Sequence, residues 1–133
     1  MHCVSNIRDD LYWLGASDRR LAKFESVYPI PRGVSYNAYL VLDEKTVLLD
    51  TVDRAVGERF LENLEFALAG RPLDYVVVDH MEPDHCATLG EVLRRWPDAQ
   101  VVANAKTVPM IGQFFDCDIS GRTVVVKEGD TLC

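Results

Sequence analysis

The densest chemistry in this chain lies in one stretch, Asp79-His80-Met81-Glu82-Pro83-Asp84-His85. Imidazole nitrogens and carboxylate oxygens, with no obligatory thiolate, suit iron or manganese as well as zinc. Pro83 disfavours a helical backbone at Glu82, so His80 and Glu82 are expected in extended chain. Residues two apart in extended chain point the same way, which aims this pair at one centre. Asp84 and His85 stand at the turn into a helix, diverge from the first pair and are expected to serve a second metal nearby. The competing reading makes Asp84 a plain N-cap and His80 and Glu82 ordinary loop residues. Two histidines and two carboxylates between positions 80 and 85 are dense for a cap.

A glutamate at position 82 is a harder, anionic ligand than a histidine, and it favours redox-active iron over hydrolytic zinc. Each metal would hold two side chains from this loop, short of a closed set. His2 is the only other histidine, and its place at a terminus argues against a role. Asp50, at the end of a neighbouring strand, can orient His80 or His85 by accepting a hydrogen bond from its ring; a turn carboxylate is the equal alternative. On this count of donors the chain holds half of a dinuclear site. Cys86 follows His85, and a thiol in a first helical turn can have a lowered pKa. A purely structural cysteine is the preferred reading.

Tyr75-Val76-Val77-Val78 reads as a buried strand entering the loop. The helix leaving it, 86–96, carries Leu89, Val92, Leu93 and Trp96 at helical spacing and stops at Pro97. Upstream, 11–15 reads as a first strand and 16–32 as an irregular loop, stiffened by Pro29 and Pro31 before Gly33. Strands at 36–42 and 46–49 form a hairpin through 43–45. Asp53 is a plausible N-cap for a helix with Val56, Phe60, Leu64, Ala67 and Leu68 on one face, ended by Gly70 and Pro72. A strand at 100–103, a helix at 107–115 with Pro109 in its first turn, a strand at 123–127 and a turn at 128–130 complete the order. The result is an α/β arrangement, a mixed sheet with helices on one face. The sequence stops at 131–133, where a returning strand is expected, leaving the last strand as an open edge.

With 133 residues the chain is one domain with a real core, and its net charge of −7 without a basic stripe argues against nucleic acid. No apolar run approaches the ~20 residues of a membrane span, and the start is not a signal peptide. Cys3, Cys86, Cys117 and Cys133 form no C-x-x-C pair and read as reduced cytoplasmic thiols.

The pattern H-x-E-x-D-H at 80–85 resembles the diiron motif of flavodiiron proteins, whose hydrolase relatives show H-x-H-x-D-H. D-D-L-Y-W-L-G at 9–15, P-R-G-V-S-Y-N-A-Y-L at 31–40, L-L-D-T-V-D at 48–53 and V-V-A-N at 101–104 extend the resemblance over nearly the whole chain. It implies a metallo-β-lactamase-like αββα sandwich of which 1–133 is the first half, with the flavodoxin-like FMN domain absent from this stretch. It also implies two non-haem iron ions, His80 and Glu82 binding one, Asp84 and His85 the other, with further ligands downstream of position 133. The implied activity is reduction of dioxygen to water or of nitric oxide to nitrous oxide. Electrons would come from FMN on the partner subunit of a head-to-tail dimer, fed by rubredoxin or a flavin/NADH reductase. The stretch alone is expected to be inactive. Two alternatives are a flavin-free diiron oxygen sensor and a zinc hydrolase of the same fold, the latter disfavoured by Glu82. Phe24 and Tyr28 are candidates for the wall of a gas pocket, with core packing as the alternative.

Overall fold

The computed structural model describes residues 2–132. Its strands are β1 (Ser5–Arg8), β2 (Leu11–Trp13), β3 (Ala16–Asp18), β4 (Lys23–Phe24), β5 (Tyr28–Pro29), β6 (Val34–Tyr36), β7 (Tyr39–Leu42), β8 (Thr46–Leu49), β9 (Tyr75–Val77), β10 (Gln100–Asn104) and β11 (Thr123–Val126). The helices are α1 (Gly57–Leu68), α2 (Pro83–Cys86), α3 (Leu89–Arg95) and α4 (Thr107–Phe114). One seven-stranded sheet runs in the order β1-β2-β7-β8-β9-β10-β11. Its first half is antiparallel and its second half parallel.

Period-two alternation sets the faces. Leu40, Leu48, Val76 and Val101 lie side by side in register and are fully buried. Phe60, Leu61, Leu64 and Leu68 of α1, Leu89, Val92 and Leu93 of α3, and Ile111 of α4 join that row in one core cluster. Each such side chain contributes about 1.5–3 kcal/mol by leaving water. Tyr39, Leu49 and Val77, pointing the other way, stay half-buried. The mixed sheet with helices on one face is thus as the alternation of the strands predicts.

Residues 16–32 depart from the expected irregular loop. They supply β3, which pairs with β6, and the small β4–β5 hairpin. These strands are short, polar and interrupted by proline, so no alternation marks them. Close backbone approach holds the β3–β6 ribbon together. A Cβ on Gly15 would lie 1.9 Å from the Tyr36 carbonyl oxygen, and Gly33, at φ +83°, has the Asp18 carbonyl 2.3 Å from its own. β1, exposed throughout, carries no apolar pattern and is likewise absent from the sequence reading.

The strand expected over 36–42 breaks at Asn37-Ala38 into β6 and β7. The helix expected over 86–96 divides into α2 and α3 around Ala87-Thr88, where the Thr88 hydroxyl donates to the Val52 carbonyl at 2.8 Å. Asp53 does cap, but it caps the 3-10 turn Arg54–Val56 ahead of α1, accepting from Ala55 N at 2.7 Å. α1 ends at Ala69, left-handed at φ 49°, with Gly70 behind it. β11 lies at the sheet edge beside β10, while the expected thiol of Cys133 lies outside the described residues. No helix among the described residues is long and apolar enough to cross a membrane.

Candidate metal centre

β8 and β9 run parallel and adjacent, so the loops that follow them leave the sheet at the same end. Ligand sites of parallel sheets gather outside the carboxyl ends of the strands. Asp50 follows β8 in a left-handed conformation, φ 56°, which aspartate tolerates better than most residues. Its Oδ1 accepts from the Asp79 backbone N–H at 2.8 Å, and its Oδ2 lies 3.1 Å from His85 Nδ1. When Asp50 is ionised it can only accept, and Nδ1 then carries the proton while Nε2 keeps its lone pair. That Nε2 stands 3.4 Å from Asp84 Oδ2. The His85 carbonyl takes two further bonds, from Thr51 N at 2.8 Å and Thr51 Oγ1 at 3.0 Å. Two consecutive residues after β8 therefore fix both the ring and the backbone of His85. Of the two histidines open to it in sequence, Asp50 meets His85.

The other pair is looser. Glu82 is extended at φ −67°, ψ 149°, as Pro83 requires, and its Oε2 lies 3.3 Å from His80 Nε2. Both side chains are more than half exposed, at 52% and 56%, against 35% for His85 and 22% for Asp84. The two imidazoles meet edge to face, centroids 5.3 Å apart. All four loop donors thus stand together, as two neighbouring pairs. Among the described residues no three such side chains converge on one point. Glu82, not Asp84, occupies the N-cap position of α2, with Pro83 in the first turn. Freed from capping, Asp84 leaves its Oδ1 buried without a hydrogen-bond partner. A buried carboxylate oxygen in that condition is costly unless a cation meets it. The loop thus offers two imidazoles and two carboxylates, one of them with an unpartnered oxygen, which are donor types that iron accepts.

Burial pushes the Asp50 carboxyl above its ordinary value, although the Asp79 N–H and His85 oppose the shift. Burial also pushes the Cys86 thiol up to about 11, with Asp50 and Asp84 adding to it. Its Sγ donates to the Met81 carbonyl at 3.0 Å. The lowered pKa entertained for a first-turn cysteine is therefore corrected: Cys86 is a packing residue. His2 stacks on Phe66 of α1, ring centroids 4.2 Å apart.

Two cavities flank the loop. On the Asp84 side, one of about 300 Å³ is lined by Phe24, Tyr36, Asp53, Pro83 and Asp84 among others. On the His80–Glu82 side, one of about 680 Å³ is lined by Met81, Met110, Phe114 and Phe115. Phe24 borders the first cavity, whereas Tyr28, 61% exposed, lines neither. Sequence reasoning missed Thr51 and Tyr36. Thr51 had a signal, being the neighbour of Asp50, but Tyr36 reads in sequence as an ordinary strand aromatic.

The family described as Metallo-beta-lactamase superfamily matches residues 31–131. The chain belongs to the metallo-beta-lactamase superfamily. The anaerobic nitric oxide reductase flavorubredoxin of Salmonella arizonae is 34% identical over 128 residues, which cover 95% of this chain and 26% of that protein. A flavodiiron protein mutant from Thermotoga maritima superposes with a TM-score of 0.86 at 30% identity, covering 96% of this chain and 33% of the other. The rubredoxin oxygen:oxidoreductase of Desulfovibrio gigas gives a TM-score of 0.87 at 30% identity, covering 98% and 32%. Within the superfamily, these matches are to a flavorubredoxin and to flavodiiron-type proteins. The chain spans about a quarter to a third of the length of these relatives.

Proposed function

We propose that this chain supplies His80, Glu82, Asp84 and His85 to a non-haem diiron centre, and that the whole protein reduces dioxygen to water or nitric oxide to nitrous oxide. The observation that carries the reading is the pairing itself: His80 with Glu82 at 3.3 Å, and Asp84 with His85 at 3.4 Å. The names of the relatives, a nitric oxide reductase and a rubredoxin oxygen:oxidoreductase, support reduction over the sensor and hydrolase alternatives. Bound iron would supply electrons and a Lewis-acidic contact for a diatomic gas. The residues of this chain do the holding. Asp50 keeps the His85 proton on Nδ1, so Nε2 is the ligating atom. Thr51 fixes the His85 backbone, and Pro83 fixes the extended turn that joins His80 to Glu82.

FMN and a rubredoxin or flavin/NADH-reductase donor belong to the same proposal for the whole protein, as does a head-to-tail dimer. The test is elemental analysis of the full-length protein. His80→Ala and Glu82→Ala are each expected to cut bound iron sharply, and Glu82→His to raise zinc relative to iron. Normal iron content in both alanine variants would overturn the assignment.

A further inference from the structure

Tyr36 has no part in the ligand set, yet its surroundings call for one. The residue is only 3% exposed, yet its hydroxyl oxygen is not sealed off: the buried side-chain atoms without a partner among the described residues are Asp84 Oδ1 and Arg122 Nε. The carboxylates that act on this phenol are Asp53, Asp18 and Asp84, and two of them, Asp53 and Asp84, line the same cavity as Tyr36. The polar end of the ring therefore faces that cavity. Asp84, which also lines that cavity, carries the buried and unpartnered Oδ1. Tyr36, Asp53 and Asp84 thus border one small space, with Phe24 across it.

The rest of the wall suits a small guest. Phe24 supplies an apolar surface, and the β4–β5 hairpin that carries it turns through Glu25 and Ser26, both left-handed at φ 49° and 62°. Left-handed non-glycine residues cost energy and gather where the surrounding structure holds a loop against a site. Tyr36 itself is set by backbone: its carbonyl oxygen lies where a Cβ on Gly15 would stand. Burial among carboxylates keeps the phenol protonated, so it acts as a donor.

Resting on the diiron reading, we propose that Tyr36 is a positioning residue whose hydroxyl donates a hydrogen bond to a diatomic gas or small anion seated beside Asp84. The cavity of about 300 Å³ would hold such a ligand between Tyr36 and Phe24.

Azide is the probe. It is titrated into the iron-loaded full-length protein and followed by its charge-transfer absorption, with iron content and melting temperature measured on the same samples. Tyr36→Phe keeps the ring and removes the donor. It is expected to weaken azide roughly tenfold, the scale of one hydrogen bond to a charged group, while iron and melting hold. Unchanged azide affinity at full iron content overturns the proposal. So does loss of iron or of folding in the variant, since that makes Tyr36 a structural residue only. A parent protein that binds no iron fails the diiron reading first and takes this inference with it.

Discussion

Asp50 and Asp74 are carboxylates at opposite ends of the same pair of strands, one following β8 and the other preceding β9. Asp74 is saturated. Its Oδ2 accepts from Thr46 N at 2.8 Å and Thr46 Oγ1 at 3.1 Å, and its Oδ1 meets Lys45 Nζ at 3.3 Å. The Thr46 backbone N–H, ahead of the other partners, holds its carboxyl below the ordinary value. Asp50 also accepts two bonds, yet burial outweighs them and its carboxyl stands above the ordinary value. Around Asp50 lie the unpartnered Asp84 Oδ1 and a backbone at positive φ. One end of the sheet is finished by hydrogen bonds; the other keeps polar groups short of partners. Strain of that kind persists at functional ends, where stability yields to pre-organisation.

The largest effect is expected from Asp50→Asn. Loss of a carboxylate behind a metal-bound histidine typically lowers metal affinity about 10–100-fold. The fall is expected in iron bound by the full-length protein. The melting temperature of the metal-free form should hold or rise, because a buried carboxylate that resists ionisation is gone. A lower melting temperature with undiminished iron would make Asp50 a structural residue like Asp74.

A smaller effect is expected at Gly15. An alanine there drives its Cβ to within 1.9 Å of the Tyr36 carbonyl oxygen, a backbone atom that cannot swing aside. The cost should be about 1–3 kcal/mol, read as a lower urea midpoint. Gly112, in the middle of α4 with nothing within 4 Å of an added Cβ, is the control. Its alanine variant should gain about 0.5–1 kcal/mol from helix propensity. If both variants behave alike, the β3–β6 ribbon does not hold Tyr36 in place.

What sequence could and could not show divides along the same physical line. β8, β9, β10 and α1 were legible because burial on one face writes a period of two or 3.6 into them. The four loop donors were legible because their types and spacing are improbable by chance. Asp50 was legible as a partner for a histidine, but choosing His85 over His80 needed the parallel pairing of β8 with β9. Tyr36 and the hairpin carrying Phe24 were not legible. Their placement depends on the backbone contact at Gly15 and on left-handed residues at Glu25 and Ser26, neither of which leaves a periodic trace.

The smallest predicted effect sits at the finished end of the sheet. The Asp74 carboxyl has its folded pKa lowered from an ordinary 3.8, so its ionised form favours folding. Stability from such a group is fully present above the unfolded value and is lost as pH falls through the folded one. Asp74→Asn removes this proton linkage while leaving an amide oxygen to accept from Thr46. The variant should therefore be less stable than the parent at neutral pH, and the difference should shrink as pH falls below 3.8. Asp18 and Asp118 are lowered too, each by hydrogen bonds from nearby residues, so the acid limb flattens without disappearing. Urea midpoints at pH steps from neutral to strongly acidic read the effect directly. A stability difference independent of pH would mean that Asp74 acts by shape alone. The contrast with Asp50 would then rest on packing rather than on charge.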